Sequence, residues 1–373
     1  MRKIAFVIVF LAIILASSLA VAQAVIENPA KPDNLRAGRT VALQEVMRIE
    51  DTAKDFTITA VYGLQASADG SVFVRDEWKQ LLQFDSRGRF VRNLVKKGEG
   101  PGELAEVYGH QVVKQNVILF GNPRKALIFD LAGNLVDEIS LLRAAAGQTN
   151  MAAAVFDKLI FVRDAVSDLK RGGGWRDFPA AVEAISLPKG QVEKLGIFPI
   201  RGYVLHFPSG EVGLYQSSQL MVVAIGDRTL ALTHTSEYLI KVFDMTTRTV
   251  GAVLKRPYKR QARIVSRESG GASGMGAMAF KPPEFMNDIV NLHAVDGKIW
   301  VQTSTVDAHK GVLFDIFDQG GRYLDCFYLK WSDKETDLDP LLQHFTFAGG
   351  FVYFADKTEE DLVVIKKCRL VGL

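Results

Sequence analysis

The chain has 373 residues, of which 48% are hydrophobic and 23% charged, and this composition excludes a wholly disordered protein. Lys and Arg together number 45 and Asp and Glu 42, so the formal net charge of +3 excludes a basic field over the whole surface that would attract nucleic acid. Two cysteines cannot form a disulfide scaffold in a chain of this length, so the fold must depend on its hydrophobic core.

Residues 1–24 have the order of a secretory signal peptide. A positively charged start precedes a long apolar run, and small residues then offer cleavage after Ala22 or Ala24. The apolar run is also long enough for an uncleaved membrane anchor, but the clustered small residues favour cleavage. We therefore expect a secreted or periplasmic protein with no stable membrane span after signal removal. Residues 25–39, with two prolines and several charges, are predicted to be an N-terminal tail.

From residue 40 onward the chain repeats one pattern six times, with copies that begin near residues 70, 116, 157, 228, 297 and 350. Each copy has a short apolar run, interpreted as an inner strand, and a second strand rich in β-branched and aromatic residues. In the clearest copies an Asp-x-x-Gly turn follows, because Gly accepts positive φ and Asp caps the turn. Helical periodicity is nearly absent, which indicates an all-β domain. Units of about 40 to 50 residues with four strands are typical of propeller blades.

The sequence thus predicts a six-bladed β-propeller over residues 40–373. The last copy ends soon after its third strand, whereas residues 40–49 alternate like a strand. We expect this N-terminal strand to complete the last blade and close the ring, because closure removes an open sheet edge. Two alternatives remain: a pair of β-sandwiches, or a seven-bladed ring that uses residues 199–215.

The segment from Gly70 to Leu104 resembles an NHL repeat, with G-S-V-F-V-R-D, a strand ending in F-D, a G-R-F hairpin and the run G-E-G-P-G-E-L. This resemblance to exported bacterial six-bladed propellers implies a ring with a binding surface at its top face and central channel. It implies no activity, because propellers serve as enzymes and as interaction modules. The glycine-rich run lacks the Gly-Lys-Ser/Thr ending of a phosphate loop, so we interpret it as a turn between blades.

Three histidines, His110, His293 and His344, each lie a few residues before the second strand of a predicted blade, in blades two, five and six. Innermost strands lie beside the axis, so the three imidazoles could hold a Zn²⁺ or Ca²⁺-class ion in the channel. Some NHL-like propellers that act as lyases use channel histidines in this way, although their sites cannot be transferred residue by residue. The simpler interpretation is that all three are polar channel or packing residues, and that no cofactor is bound.

Other candidate groups are scattered. Carboxylates near the same rim are Glu106, Asp288 and Asp76, and no pair has a spacing that indicates a site. The chain has no Gly-x-Ser-x-Gly elbow, and His206 and His234 have no partner recognisable from the sequence. Cys326 and Cys368 lie in predicted strands of neighbouring repeats, and either a disulfide or two buried free thiols is consistent with that placement.

Two insertions provide the candidate binding residues. The segment 165–178 contains Trp175 and Arg176, and the segment 255–285 contains Arg256, Tyr258 and Arg260. Long irregular segments in compact folds are often functional, and the basic stretch could meet an anionic polymer, a lipid headgroup or an acidic partner. The simpler interpretation is a solvated loop.

The leading hypothesis is an exported, monomeric binding or scaffold protein whose propeller face takes a protein, peptide or glycan, and not nucleic acid. The alternative is a metal-dependent hydrolase or lyase with an ion in the central channel, so the sequence leaves open whether the protein is an enzyme.

Overall fold

The computed structural model describes residues 23–50, 56–76, 80–141, 149–155, 157–164, 169, 172–187, 189–207, 209–263, 282–330, 345–358, 360 and 362–373. All regular elements in these residues are β-strands. None of the described residues forms a helix of the length and apolar character needed to cross a membrane.

The strands follow one another in four-stranded units, as the repeats predict. Two strands come first, β1 (Ala24–Glu27) and β2 (Arg39–Glu50). Blade one contains β3 (Val61–Ala66), β4 (Val72–Asp76), β5 (Gln80–Phe84) and β6 (Phe90–Asn93). Blade two contains β7 (Glu106–Val113), β8 (Asn116–Asn122), β9 (Lys125–Asp130) and β10 (Leu135–Ser140). Blade three contains β11 (Thr149–Val155), β12 (Lys158–Asp164), β13 (Gly174–Ser186), β14 (Val192–His206) and an added strand, β15 (Val212–Gln216).

The second half of the chain continues the pattern. Blade four contains β16 (Met221–Ala224), β17 (Thr229–Thr233), β18 (Ile240–Asp244) and β19 (Thr249–Lys255). Blade five contains β20 (Ile289–Val295), β21 (Lys298–Asp307), β22 (Gly311–Phe317) and β23 (Tyr323–Lys330). Blade six contains β24 (Phe345–Ala348), β25 (Phe351–Lys357) and β26 (Val363–Val371), with β2 beside β26.

The first strand of every blade faces a common axis. The strands β3, β7, β11, β16, β20 and β24 each contact the next, and β24 contacts β3, so six blades form a ring. This confirms the six-bladed propeller and excludes both alternatives, because residues 199–215 fall in β14, the following turn and β15 of blade three. The strand that precedes the apolar run of each repeat is the innermost, and the apolar run itself, such as Val72–Asp76, is the second strand from the axis. Such strands are buried on both faces, which explains their unbroken apolar runs.

The hydrophobic core lies between blades. Six clusters of buried side chains each join two neighbouring blades, so every interface in the ring has its own core. The turns behave as the sequence predicts: the Asp85 carboxylate accepts hydrogen bonds from the backbone N–H groups of Arg87 and Arg89, and Gly88 has a φ of +79°. A flat blade cannot cover its own faces, so the ring is the arrangement that buries them.

Strand β2 pairs antiparallel with β26, from Ala42 opposite Val371 to Glu50 opposite Val364. Its first residues also pair in parallel with β23, so blades five and six share one eight-stranded sheet. The strand predicted at residues 40–49 therefore lies beside the C-terminal strand.

The segment 25–39, expected to be a tail, is also part of the fold. Strand β1 pairs in parallel with β19 at the edge of blade four. The Asn28 side chain then donates hydrogen bonds to the carbonyl oxygens of Lys255 (3.3 Å) and Gly321 (3.0 Å) and accepts one from the Tyr323 N–H (2.9 Å). Asn28 is buried, so this side chain joins blade four to blade five.

The glycine-rich run lies between β6 and β7, as expected for a turn between blades. The buried Lys125 ammonium donates to the Gly100 carbonyl (2.6 Å) and to Glu138 (3.0 Å), and the same carboxylate accepts the Gly102 N–H (2.6 Å). Gly102 has a φ of +70°, which favours glycine. A lysine of blade two therefore holds the turn in place.

Cys326 and Cys368 are both buried and free. The Cys326 carbonyl accepts the Gly38 N–H, whereas Cys368 lies opposite Glu45. Gly38 and Glu45 are seven residues apart along the chain, which corresponds to about 23 Å in a strand. The two cysteines beside them are therefore far too distant from each other to form a disulfide.

Candidate functional site

A cavity of about 620 Å³ occupies the centre of the ring, within the range of small-molecule sites. Residues of all six inner strands line it, together with β12, β14 and the segment around β15. Many of the side chains are small, including Ala66, Ala224 and Ala294, which leaves room near the axis. The repeat architecture therefore builds the cavity from equivalent positions of successive blades.

The polar part of this lining consists mainly of carboxamides. These are Gln65, Gln111, Gln216, Gln219 and Asn291. The Gln65 oxygen accepts the Val112 backbone N–H at 2.9 Å, and the Gln65 amide nitrogen donates to the Gln111 oxygen at 3.3 Å. These bonds fix the orientation of the Gln65 amide between blades one and two. Every lining side chain in the described part of the chain belongs to an uncharged residue type or to histidine.

His293 is the one histidine of the described cavity lining. Its ring packs edge-to-face against Phe347, with centroids 5.2 Å apart, and lies near Phe314. Burial lowers the pKa of His293 to about 4, an effect that the Gln302 hydrogen bond partly opposes. The imidazole is therefore neutral at physiological pH, and the described lining carries no formal charge.

The three predicted metal-binding histidines have different surroundings. His110 is buried against Gly63, where an added Cβ would lie 3.0 Å from its ring, and it is not part of the cavity lining. His293 faces blade six, and His344 lies outside the described residues. The described residues contain no group of three potential metal ligands. The histidine metal site therefore stays a prediction.

The segment containing Trp175 and Arg176 forms part of a long, regular sheet in blade three. The first residues of β13 pair with the end of β14, which pairs in turn with β15. Trp175, Tyr203 and Tyr215 are opposite one another in this register and make edge-to-face contacts. Trp175 is exposed, whereas the Arg176 guanidinium lies 5.2 Å from the Phe178 ring centroid on the other face.

That other face carries Arg176 together with a cluster of apolar side chains. Phe178, Ile200 and Val204 are buried there, and Ile200 also lines the cavity. At the base of the sheet, the Arg201 N–H donates to the Ser218 hydroxyl (2.9 Å) and the Ser217 N–H to the Arg201 carbonyl (2.9 Å). The extension therefore fixes the chain between Gln216 and Gln219, whereas the Trp175 cluster lies on its outer face.

Arg256 is held inside the interface between blades four and five. Its guanidinium donates to Asp315 at 2.6 and 2.9 Å, and only 6% of its side chain and none of that of Asp315 is exposed. The hydroxyls of Tyr238 (2.6 Å) and Tyr323 (2.5 Å) donate to the same carboxylate, and the cation also lies over the rings of both tyrosines and of Tyr258. Burial and the Asp315 charge raise the pKa of Tyr238 and Tyr323, so both remain donors.

Burial alone would lower the pKa of Arg256, but the Asp315 carboxylate more than offsets this effect and the pKa is raised. The arginine is therefore permanently charged, and its guanidinium contacts Asp315 and three tyrosine rings inside the protein.

The next two candidate residues are also tied to blade five. Arg260 forms an ion pair with the buried Asp288 at 3.0 Å, and burial raises the pKa of Asp288 despite this partner. The Tyr258 hydroxyl lies 2.8 Å from that of Thr305 and 3.1 Å from that of Ser304. The described part of the basic segment, residues 255–263, thus uses these side chains to cover the interface between blades, whereas residues 264–281 lie outside the described part.

The remaining sequence candidates have local roles. The Asp76 carboxylate accepts the Ala60 N–H (3.0 Å) and the Thr59 hydroxyl (3.1 Å). His234 is buried, with its Nδ1 2.7 Å from the Pro199 oxygen, and its pKa is lowered by burial. His206 is exposed at the end of β14, and Glu106 is exposed at the start of β7.

Residues 31–172 match the model of a family described as a six-bladed β-propeller. None of the curated proteins matches the chain significantly. Among solved structures, the chain is similar to a protein of Bacteroides fragilis that is thought to be exported. The two are 13% identical, with 93% of this chain and 99% of that protein covered and a TM-score of 0.47.

Proposed function

We propose that this six-bladed propeller is an exported binding protein whose ligand enters the central channel. The observation that carries the proposal is the cavity of about 620 Å³ on the axis, where neutral amide groups alternate with small and apolar side chains. Binding sites for small molecules are concave, and convergent polar groups in them fix the orientation of the ligand.

The chemistry of the lining favours binding over catalysis. Its described polar groups are carboxamides, the Thr346 hydroxyl and the His293 imidazole. Amides form hydrogen bonds well but neither gain nor lose a charge near neutral pH, and His293 has a pKa of about 4, too low for an efficient general base at pH 7. These groups are suited to hold a ligand in one orientation.

Export is supported by the signal-like order of residues 1–24 and by the position of β1. Cleavage after Ala22 would leave all of β1 on the mature chain, so that Ala24–Glu27 could pair with β19 and Asn28 could join blades four and five. Cleavage after Ala24 would remove the first residue of this strand.

A variant that fills the channel tests the proposal. Ala294 lines the cavity and is exposed to it, so Ala294→Trp should occupy space that a ligand needs with little change to the core. Ala132→Trp, in the exposed hairpin turn of blade two, is the matched control.

Ligand-observed NMR with a defined set of neutral oligosaccharides, oligouronates and short peptides would measure binding. We expect at least one probe to bind the parent and Ala132→Trp but not Ala294→Trp. If every probe that binds the parent binds Ala294→Trp equally, or if none binds the parent, the channel is not a ligand site.

A further inference from the structure

The polar groups of the channel come from positions all around the axis. Gln65 belongs to blade one, Gln111 to blade two and Asn291 to blade five, while Gln216 and Gln219 precede blade four. Thr346 adds a hydroxyl from blade six. A ligand on the axis would therefore meet hydrogen-bonding groups from several directions, and its own polar groups should surround it in the same way.

Carboxamides offer a donor and an acceptor on each side chain. The bond from Gln65 to Gln111 uses the Gln111 oxygen and leaves its NH₂ group out of that contact. A hydroxyl group can accept from an amide N–H and donate to an amide oxygen, so it satisfies either end of these side chains.

Ligands of other chemistry fit less well. An ion in the cavity would lose part of its water, and the described lining residues carry no formal charge to compensate. This desolvation costs several kcal/mol unless the ion becomes neutral. A wholly apolar ligand would remove water from the amides without replacing their hydrogen bonds, at a cost of about 1–3 kcal/mol for each group left without a partner.

The same lining contains an apolar surface suited to the face of a sugar ring. Phe347 lines the cavity, and its ring is held by edge contacts with His293 (5.2 Å) and a tilted contact with Trp300 (5.0 Å). A pyranose presents C–H groups on its faces and hydroxyls around its edge. A peptide presents its backbone hydrogen-bonding groups chiefly in two directions, which matches a ring of amides less completely.

From these observations we infer, on the basis of the proposed function, that the channel ligand is a neutral saccharide. The long strands of blade three support this inference because they hold two of the amides in place. Through Ser217 and Ser218 they fix the positions of Gln216 and Gln219, two of the five amides, at the cavity.

Isothermal titration with maltotriose, cellotriose and chitotriose tests the inference, with trigalacturonate as an anionic probe and trialanine as a peptide probe. The variants are Gln111→Leu and Gln219→Leu, and the matched control is Gln44→Leu, an exposed amide on β2. We expect a neutral trisaccharide to bind the parent and Gln44→Leu, and its affinity to fall about tenfold in each channel variant, which corresponds to one lost hydrogen bond. Thermal melts that match the parent would show that the variants are folded.

The outcomes separate the two proposals. If trialanine or trigalacturonate binds and Ala294→Trp abolishes that binding, while neutral trisaccharides do not bind, the channel site stands and the saccharide inference is overturned. If no probe binds in a manner sensitive to Ala294→Trp, both proposals fall. Saccharide binding that is unchanged in Gln111→Leu and Gln219→Leu would place the sugar elsewhere and would also overturn the inference.

Discussion

Replacing Asp315 by asparagine should destabilise the propeller strongly although it changes only one atom of a side chain. Asp315 is completely buried and accepts four hydrogen bonds, two from Arg256 and one each from Tyr238 and Tyr323. Asparagine keeps the shape and one carbonyl oxygen. It removes the negative charge and leaves the buried Arg256 cation without its partner.

The magnitude follows from this geometry. Removing one member of a buried ion pair costs about 3–5 kcal/mol, because the remaining charge stays out of water without compensation. Asparagine can turn its oxygen toward Arg256 and Tyr238, and the Tyr323 hydroxyl can rotate to accept from the new NH₂ group. We therefore expect the free energy of unfolding to fall by about 3 kcal/mol in Asp315→Asn. In Asp315→Ala, which also removes the hydrogen-bond acceptors, we expect it to fall by about 5 kcal/mol.

Urea unfolding at pH 7 would measure these free energies, together with the double variant Arg256→Met/Asp315→Leu. The double variant replaces the pair by apolar side chains, and we expect it to regain most of the lost stability. Glu50→Gln is the control, because the Arg48–Glu50 pair has both side chains 40% exposed and should contribute less than about 1 kcal/mol. Equal stability of the parent and Asp315→Asn, or a double variant less stable than Asp315→Ala, would refute the reasoning.

Three other changes test separate parts of the fold. The parent should lose stability between pH 7 and pH 5, because the pKa of His293 is about 4 in the folded protein and about 6.5 in the unfolded chain, so that protonation favours unfolding. In His293→Gln this loss, measured by urea unfolding, should be smaller by roughly 1–2 kcal/mol. Asn28→Ala should lower the free energy of unfolding by about 2 kcal/mol, because it leaves the buried Tyr323 N–H without its acceptor. Lys125→Met should release the glycine-rich turn and increase amide hydrogen exchange at residues 98–104.

Each of these has a matched control. His309→Gln changes an exposed imidazole and should keep the pH dependence of the parent. Asn34→Ala removes a local hydrogen bond to the Arg36 N–H on the surface and should cost less than about 1 kcal/mol. Lys114→Met changes an exposed lysine 3.8 Å from Asp227 and should leave exchange in the turn unaltered. If a control variant behaves like its test variant, the assigned contact is not the cause.

The repeats were enough to predict the ring, because the Asp-x-x-Gly turns and the doubly buried strands are local features. Turns such as Asp85–Gly88 depend on a few adjacent residues, and any chain segment with that pattern forms them in the same way. The innermost strands were harder to find, because one of their faces lines the channel and they lack long apolar runs. The amides Gln65 and Gln111 were missed for this reason.

The candidate residues of the basic segment could not be interpreted without their partners. Arg256 and Asp315 are separated by 59 residues, and the sequence gives no distance between them. One signal was present: Asp315 interrupts the apolar run of β22 between Phe314 and Ile316, at a position where both neighbours are buried. A carboxylate in such a strand indicates a buried partner, because it would otherwise cost several kcal/mol.

In the part of the chain that the structure describes, strands β1 and β2 pair with segments that begin at residue 249 or later. During synthesis, residues 24–50 leave the ribosome long before the strands with which they pair, and they can join a sheet only after those strands have been made. Until then two strand edges stay open, which favours association between copies. Such distant pairing slows folding, so a chaperone that shields this N-terminal segment would raise the yield of folded protein more than one that acts on the last blades.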